Sequence, residues 1–352
     1  MTPRAMRMGE AGIVLTGRRY RRARRLDRGK RGVVAVVGTL LALLVFFALF
    51  GIFLTQYVPL WMTDNERQFA DGIESSFALL KSAVDEQYSL GGPATYATPF
   101  TLASQAVPLL SQPTQATLTF IPANCPAGFF PANGTPEQPN NCIFQHVLMG
   151  VGTAIHPATN HPFNETSSVS VLQGTLPDRY YPSVNYYFED DAVFLTQTGG
   201  HQLMIVPPPL NVTKVGPNTT VQSSYLQLFG NASVYTSQGT KDVFTHYDYS
   251  QPYSSSGRFA TTTGTPVPFN FTFEVGTHNV CGWYTFLQSL VTTSGLVSSA
   301  YSLTGSVAFP PSTSVCQDSG GTSYDISLEF LNINYATTAY AGVEISFTQG
   351  GA

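Results

Sequence analysis

Basic residues are nearly absent from the larger part of this sequence. After Gly92 the chain has four Lys and Arg residues, which are Arg179, Lys214, Lys241 and Arg258. Charged residues of all kinds make up 11% of the chain, so its surface must consist largely of hydroxyl and amide groups. Such a surface is typical of an exported protein rather than of a cytosolic enzyme.

The local motifs of common enzyme classes are also missing. The sequence contains no GxSxG, HExxH, GxGxxG or P-loop pattern. This absence counts against the classes that carry such motifs, and it leaves open a hydrolase whose catalytic groups are scattered over strands and loops. We predict a non-enzymatic protein with no catalytic residues and no cofactor.

Metal-binding patterns are weak as well. No CxxC or CxxH spacing appears, and the six histidines show no paired metal-ligand spacing. The acidic run Glu189-Asp190-Asp191 would hold a hard cation such as Ca²⁺ only if further oxygen ligands converged on it. A solvated start of a strand explains the same run, and we predict no metal site.

The few charges are distributed very unevenly. Residues 1–32 carry 11 Lys/Arg and 2 Asp/Glu, a net charge of +9, whereas residues 33–352 carry 6 and 19, a net charge of −13. Basic residues beside a membrane-spanning segment stay in the cytoplasm. We therefore expect residues 1–32 inside the cell and the chain after Trp61 outside it. The partner of the basic segment is then membrane lipid rather than nucleic acid.

A long apolar run follows the basic segment. Val33–Leu54 gives 22 uncharged, mostly apolar residues, and the run continues to Met62. As a helix, 22 residues span about 33 Å, enough to cross the hydrocarbon core of a bilayer. A secretory signal has only about 7–15 apolar residues, and no Ala-x-Ala-like cleavage site follows here. We predict a transmembrane helix over residues 33–62, with Tyr57 and Trp61 in the outer aromatic belt.

The boundary between the basic and apolar segments carries a family resemblance. Arg31-Gly32 directly before the apolar residues resembles the cleavage site of archaeal type IV pilins and related pilin-like surface proteins, which carry a class III signal peptide. In that family a prepilin-type peptidase removes the basic leader on the cytoplasmic side, and the apolar helix stays on the mature protein. The resemblance implies a cut between Gly32 and Val33. It also implies assembly with further copies or with other pilin-like subunits.

Two features depart from the family pattern. The leader is long, at 32 residues, and Val37 stands where bacterial pilins carry an acidic residue. Archaeal members commonly lack that acidic residue. An uncleaved single-pass anchor with a basic cytoplasmic stub remains the alternative.

An amphipathic helix is predicted to follow the transmembrane helix as a stalk over residues 63–92. One apolar stripe with spacings of 4, 4, 3, 4 and 4 consists of Phe69, Ile73, Phe77, Leu80, Val84 and Tyr88. A capping box of Thr63 and Glu66 would start this helix, and Gly91-Gly92-Pro93 would end it. Pro59 cannot donate to the helix ladder, which predicts a kink or short break near it.

The rest of the chain, residues 93–352, is predicted to be β-rich and extracytoplasmic. Short alternating runs include ATLTFI, SVSVL, AVFLTQ, HQLMIV, FNFTFEV, GSVAF, DISLEFLNINY and AGVEISF. They favour a mainly antiparallel, β-sandwich-like domain, so that the whole chain is α+β. CGWYTFLQSLVTT predicts one inserted helix.

One predicted hairpin has a more specific sequence pattern than the short alternating runs. YYFEDDAVFLTQTGGHQLMIVPPPLNVT predicts a strand, a Thr-Gly-Gly turn, a second strand and a proline stop. A hairpin of this form resembles the ectodomains of archaeal pilin-like surface proteins.

Cysteines and sequons all follow the apolar run. Four cysteines in an exported region favour two disulfides, and of three pairings we favour the neighbours Cys125–Cys142 and Cys281–Cys316. Six Asn-x-Ser/Thr sequons predict surface glycosylation at Asn133, Asn164, Asn211, Asn218, Asn231 and Asn270.

Three functional hypotheses follow from the sequence. The first is a membrane-anchored, pilin-like structural protein of the cell surface, held in a membrane or in a filament core. The second is a membrane-tethered adhesin or glycan-binding module, with aromatic residues of DRYYPSVNYYF and HYDYSQPYSSS as a sugar-stacking surface. The third is an extracellular hydrolase on the same β scaffold.

Overall fold

A computed structural model gives the fold of most of the chain. It describes residues 17–92, 94–106, 111–123, 143–150, 163–197, 201–216, 218–254, 268–305 and 324–347, with the backbone alone for 17–34, 146, 163–166, 251, 253 and 324. The helices are α1 (Gly17–Ile52), α2 (Val58–Leu90) and α3 (Val280–Thr293), with a 3₁₀ turn at Ser298–Ala300. The chain divides into two compact units, residues 1–61 and residues 62–352.

In the first unit, α1 is followed by a π-helical turn, Phe53–Tyr57. Pro59 has no backbone N–H, so the carbonyl of Thr55 lacks its ordinary helical donor, and a local change of helix type accommodates this loss. The Thr55 hydroxyl donates to the carbonyl of Gly51 at 2.8 Å. The predicted irregularity near Pro59 is therefore confirmed, and it takes the form of a π-helical turn.

In the second unit, α2 continues from Met62 to Leu90, and we call this part the docked segment. It buries the predicted stripe from Phe69 to Val84. It ends where Gly91 takes a φ of +60° and its N–H donates to the carbonyl of Gln87 at 3.1 Å. The predicted end is confirmed, because glycine adopts the left-handed conformation of a helix C-terminus most readily.

The predicted capping box is wrong. Helix α2 runs without a start at Thr63, so no helix N-terminus needs the Thr63 hydroxyl or the Glu66 carboxylate. Both side chains instead bond outside the helix, as the next subsection describes.

Sixteen strands are described, with lengths from four to fifteen residues. They are β1 (Thr95–Thr101), β2 (Thr117–Ile121), β3 (Phe144–Gly150), β4 (Phe163–Ser168), β5 (Val171–Leu176), β6 (Val184–Glu189), β7 (Ala192–Gln197), β8 (His201–Val206), β9 (Asn211–Val215), β10 (Asn218–Phe229), β11 (Ser233–Thr236), β12 (Thr240–Ser254), β13 (Phe269–Thr277), β14 (Tyr301–Gly305), β15 (Tyr324–Ile333) and β16 (Tyr335–Ser346). Together with the loops between them they form what we call the β body.

The strands form three sheets. Sheet 1 has the order β1-β12-β16-β10-β9, sheet 2 has β11-β2-β5-β6-β7-β8, and sheet 3 has β14-β15-β13-β3-β4. Among the described strands the pairing is antiparallel except between β10 and β16, which run parallel. The expected mainly antiparallel β domain is confirmed, while its finer arrangement as a sandwich stays a prediction.

Two hydrophobic cores lie inside the second unit. The first joins the stripe of the docked segment to sheets 1 and 2, through residues such as Phe100, Phe120 and Val343. The second joins α3 and sheet 3 to strands of the other sheets, with Trp283 fully buried among Phe194 and Phe273. The predicted inserted helix is α3, and it supplies much of this second core.

The predicted strand runs match unevenly. ATLTFI, AVFLTQ, HQLMIV, FNFTFEV, DISLEFLNINY and AGVEISF coincide closely with described strands. SVSVL instead straddles the gap between β4 and β5, and all but the first residue of GSVAF lies outside the described residues. The residues of the predicted Thr-Gly-Gly turn, 198–200, lie outside the described residues, and the strands on either side of them, β7 and β8, are paired. The segment before the turn is two strands, β6 and β7, with a turn at Asp190-Asp191.

Candidate functional site: an exposed helix and its docked continuation

The first unit presents an apolar helix that nothing in the unit covers. Among the described residues one helix is long and apolar enough to cross a membrane, and an 18-residue window of it has a mean hydropathy of 2.7 with none of the window buried. Large side chains such as Leu44, Phe46 and Leu49 are exposed. Apolar surface of this extent is covered by lipid or by other protein in a functioning molecule. The helix is therefore consistent with a single-pass membrane protein.

The predicted cleavage position lies within this helix. Gly32 and Val33 are both part of the continuous backbone of α1, which begins at Gly17. The helix thus extends through the basic segment into the apolar run. Cleavage at Gly32–Val33 stays a prediction.

The docked segment is held on the β body first by aromatic packing. Phe77 is fully buried, with its ring edge-on to Phe100 at 5.1 Å and stacked on Tyr186 at 5.8 Å between centroids. Gly174 on β5 permits this approach, because a Cβ there would lie 2.8 Å from the ring of Phe77. The helix and sheet 2 therefore meet more closely than any larger residue at position 174 would allow without rearrangement.

A buried carboxylate fixes the N-terminal end of the docked segment, which we call its lower end. Glu66 is 0% exposed, and its Oε2 accepts the backbone N–H groups of Tyr180 at 2.7 Å and Tyr181 at 2.8 Å. Its Oε1 accepts the N–H of Arg179 at 3.2 Å and the hydroxyl of Thr114 at 2.6 Å. Four donors thus replace the water that this carboxylate would otherwise bind, which offsets the cost of burying it.

Further side-chain hydrogen bonds lie along the helix toward its C-terminal end. The Ser76 hydroxyl donates to the carbonyl of Pro99 at 2.9 Å. Nε2 of Gln87 donates to the carbonyls of Ala94 and Thr245, each at 2.8 Å. In the opposite direction, the Tyr186 hydroxyl donates to the carbonyl of Ala70 at 3.1 Å. The docked segment is therefore positioned along its length by directional contacts as well as by apolar burial.

A buried ion pair completes the contact. Lys81 Nζ lies 3.1 Å from Oδ1 of Asp191 on the β body and 2.8 Å from Oδ1 of Asp85 one turn along the helix. The side chains of Lys81 and Asp191 are nearly inaccessible, while that of Asp85 is half exposed. Burial raises the pKa of Asp191 to about 7, because the desolvation of its carboxylate outweighs the attraction of Lys81.

The acidic neighbours of Asp191 are buried too. Asp190 and Asp191 have φ values of 49° and 60°, as a two-residue type I′ turn between β6 and β7 requires. Asp190 is 1% exposed, and neither of its carboxyl oxygens has a hydrogen-bond partner among the described residues. Burial, together with Asp191 and Glu189, raises the pKa of Asp190 well above its ordinary value. The expectation of a solvated strand start at this run is wrong.

The three carboxylates of this run differ in their hydrogen-bond partners. Glu189 accepts a hydrogen bond from the Thr277 hydroxyl, Asp191 pairs with Lys81, and the carboxyl oxygens of Asp190 have no hydrogen-bond partner among the described residues. Within the part of the chain that the structure describes, no group of three or more His, Cys, Asp or Glu side chains is placed to hold a metal ion.

One further acid lies close to Glu66. Neither carboxyl oxygen of Asp178 has a hydrogen-bond partner among the described residues, and burial followed by the charge of Glu66 raises the pKa of Asp178 to about 7. A proton on Asp178 relieves its repulsion with Glu66. The lower end of the docked segment thus contains one carboxylate satisfied by donors and one that is not.

Replacing Glu66 tests the lower contact. We expect Glu66→Gln to lower the free energy of unfolding by about 2–3 kcal/mol, because an amide NH₂ would face N–H donors and leave them unsatisfied. Urea unfolding of the full chain in detergent measures this loss. Glu86→Gln, at an exposed position on the same helix, is the matched control. Equal effects of the two substitutions would contradict the role assigned to Glu66.

The predicted disulfide and glycosylation residues are only partly described. Cys281 at the start of α3 is disulfide-bonded, while Cys125, Cys142 and Cys316 lie outside the described residues. The pairing therefore stays a prediction.

The sequons differ in accessibility. Asn133 lies outside the described residues, Asn164 lies on β4, and three asparagines are exposed, namely Asn211, Asn218 and Asn231. Asn270 is half-buried on β13, where its amide donates to Glu329 at 2.9 Å and accepts from the N–H of Asn332 at 3.3 Å. The exposed three are the better glycan acceptors by geometry.

Most aromatic residues proposed for sugar stacking lie in the core. Tyr186 and Tyr247 are buried, and Tyr249 is half-buried with its hydroxyl 2.8 Å from that of Tyr340. Tyr180 is exposed. The described tyrosines of these two segments therefore serve chiefly to pack the β body.

Sequence reasoning missed the polar contacts of the docked segment. Glu66 precedes Phe69 by three residues and Lys81 follows Phe77 by four, so both lie on the apolar face of the predicted helix. A charged residue on such a face indicates a buried partner elsewhere in the chain. The sequence alone does not identify that partner, because Arg179 and Asp191 are more than a hundred residues away.

Comparisons with protein-family models, with curated proteins and with solved structures found no match to this chain.

Proposed function

We propose that this chain is a non-enzymatic, pilin-like structural protein of the cell surface, anchored by its N-terminal helix. In this proposal residues 1–32 face the cytoplasm, residues 33–62 cross the membrane, and a β-sandwich-like body is displayed outside. The observation that carries the proposal is the succession within α1 and α2 of an uncovered apolar helix and a helix docked by buried charges.

Three further features support the proposal. The net charge of +9 before the apolar run and −13 after it fits an N-terminus inside and a body outside. The disulfide at Cys281 and the exposed sequons fit an oxidising, extracellular environment. Arg31-Gly32 before the run fits processing by a prepilin-type peptidase, after which the helix would remain for membrane anchoring or for assembly with other pilin-like subunits.

The mature N-terminus tests the pilin-like part of the proposal. We expect mass spectrometry of the protein from its own cells to find an N-terminal peptide that begins at Val33. Gly32→Leu should leave the leader attached, because the peptidase requires a small residue before the cut. Gly38→Leu is the matched control, since no atom lies within 4 Å of a Cβ placed there. An intact leader on the unsubstituted protein would overturn processing and leave a plain membrane anchor.

Orientation has its own test. Protease treatment of whole cells should digest the β body. It should spare residues 1–32 or, after processing, the mature N-terminus that cleavage leaves. Digestion of the basic end with an intact β body would overturn the proposed topology.

A further inference from the structure

Three short segments of the β body contact the first turns of the docked segment. The carbonyl of Gln105 accepts from Nδ2 of Asn65 at 3.2 Å, and the Ser111 hydroxyl lies 2.8 Å from Sδ of Met62. The third segment is Arg179–Tyr181, whose N–H groups bind Glu66. We call Arg179–Tyr180 the tip, because both residues are exposed although their backbone is fixed.

The tip is held rigidly. Besides the bonds to Glu66, the carbonyl of Tyr180 accepts from the Thr63 hydroxyl at 3.4 Å. Tyr180 nevertheless leaves 43% of its surface exposed, and Arg179 is exposed beside it. A backbone fixed by a buried carboxylate therefore presents an aromatic ring and a guanidinium to which the described residues of the β body make no side-chain hydrogen bond or ion pair.

Chain connectivity places the tip next to the end of the apolar run. Trp61 belongs to the expected interfacial belt, and Thr63 follows it by two residues, about 3 Å of helical rise. Glu66 follows Trp61 by five residues, about 7.5 Å of rise. The polar headgroup region on one side of a bilayer is about 5–8 Å thick. If residues 33–62 are anchored as proposed, we therefore expect the residues bonded to Thr63 and Glu66 near the headgroups.

The chemistry of the tip suits that depth. Tyrosine is enriched at membrane interfaces because its ring is apolar and its hydroxyl is polar. The guanidinium of arginine binds phosphate through paired hydrogen bonds. Arg179 is one of four basic residues after Gly92, and the exposed Arg67 lies on α2 beside Glu66. Two of the six basic residues that follow residue 32 are thus exposed in this small region.

We propose that the Arg179–Tyr180 tip is a second membrane contact of this protein, bound to phosphate-containing lipid headgroups beside the exit of the helix. The inference rests on the proposed anchoring of residues 33–62 in a membrane. It adds a membrane contact made by the β body itself to the anchoring by the helix. Glu66 acts as the positioning residue, because it fixes the backbone of the tip without contacting lipid.

Photocrosslinking of the full chain tests this contact. The chain carries p-benzoylphenylalanine at position 57, 180 or 215 and is reconstituted in vesicles of phosphatidylglycerol and phosphatidylcholine. We expect lipid adducts by mass spectrometry at positions 57 and 180, with several-fold more at 180 than at 215. Val215 on β9 is the control, since it is 75% exposed.

A charge reversal tests whether the lipid contact at position 180 depends on the guanidinium of Arg179 or only on the position of the residue. Arg179→Glu should reduce the adduct at position 180 several-fold in vesicles containing phosphatidylglycerol, whereas Lys214→Glu, at an exposed position on β9, should leave it unchanged. Far-UV circular dichroism of each variant verifies that the β body is folded.

The outcomes distinguish the inference from the function on which it rests. Adducts at position 57 without adducts at 180 would overturn the tip contact and leave the membrane anchor intact. No lipid adduct at either position would overturn the anchor as well. Crosslinks from position 180 to a second copy of the chain, instead of to lipid, would overturn the tip contact in favour of an assembly interface.

Discussion

Phe77→Ala should lower the free energy of unfolding of the second unit by about 3–5 kcal/mol. The ring is completely buried against Phe100, Tyr186 and Gly174. Its removal forfeits the transfer free energy of a benzyl group and leaves a cavity between the helix and sheet 2. Because the cavity lies where two elements meet, the loss also weakens the attachment of the docked segment.

Urea unfolding of the full chain in detergent, followed by near-UV circular dichroism, measures this effect. Leu79→Ala is the control on the same helix, since Leu79 is 57% exposed and should change stability by about 0.5 kcal/mol or less. Similar losses for the two variants would mean that α2 is not docked through this stripe.

Lys81→Met should destabilise the folded state increasingly above about pH 7, because it leaves Asp191, once ionised, buried without a cation. The cost should depend on pH. The pKa of Asp191 is raised to about 7 in the folded protein, against an ordinary value of 3.8. A raised acid pKa stabilises the folded state below the unfolded pKa, and this stabilisation is lost as pH rises from about 4 to about 7.

Lys81→Met extends to higher pH the range over which the stability of the folded state falls. Without Lys81 the pKa of Asp191 rises further, so stability continues to fall above pH 7, by up to about 1.4 kcal/mol per pH unit. At pH 5 Asp191 is protonated in both proteins and the difference between them should be smallest. The Lys81→Met, Asp191→Asn double variant should recover most of the loss at pH 8, whereas Lys214→Met should behave like the unsubstituted chain. A loss that is the same at pH 5 and pH 8 would contradict the ion pair.

Local patterns sufficed for elements whose determinants are local. The stripe from Phe69 to Tyr88, the stop at Gly91 and the irregularity near Pro59 each depend on residues within one or two helical turns. The strands β7 and β13 were also recognisable, because apolar and β-branched residues dominate them.

The features that the sequence did not predict depend on partners far away in the chain. Thr63 and Glu66 have the spacing of a capping box, but their bonds go to residues 114 and 179–181. Strands β10 and β12 contain many Ser, Thr and Gln residues and carry little apolar alternation, so only their places in sheet 1 reveal them. Asp190-Asp191 lacks the glycine of an ordinary type I′ turn, and the buried environment that it enters is assembled from distant segments.

The strand order of sheet 1 has a consequence for biosynthesis. Strand β16 is the last one described, yet it lies between β12 and β10 and pairs with both. Its residues Val343 and Ile345 also pack in the core that receives the docked segment. While the ribosome is still translating the region before Tyr335, the emerging polypeptide has two unpaired strand edges and a helix without its full binding surface. Maturation must therefore wait for the late arrival of these twelve residues, and the nascent chain needs protection from aggregation until then.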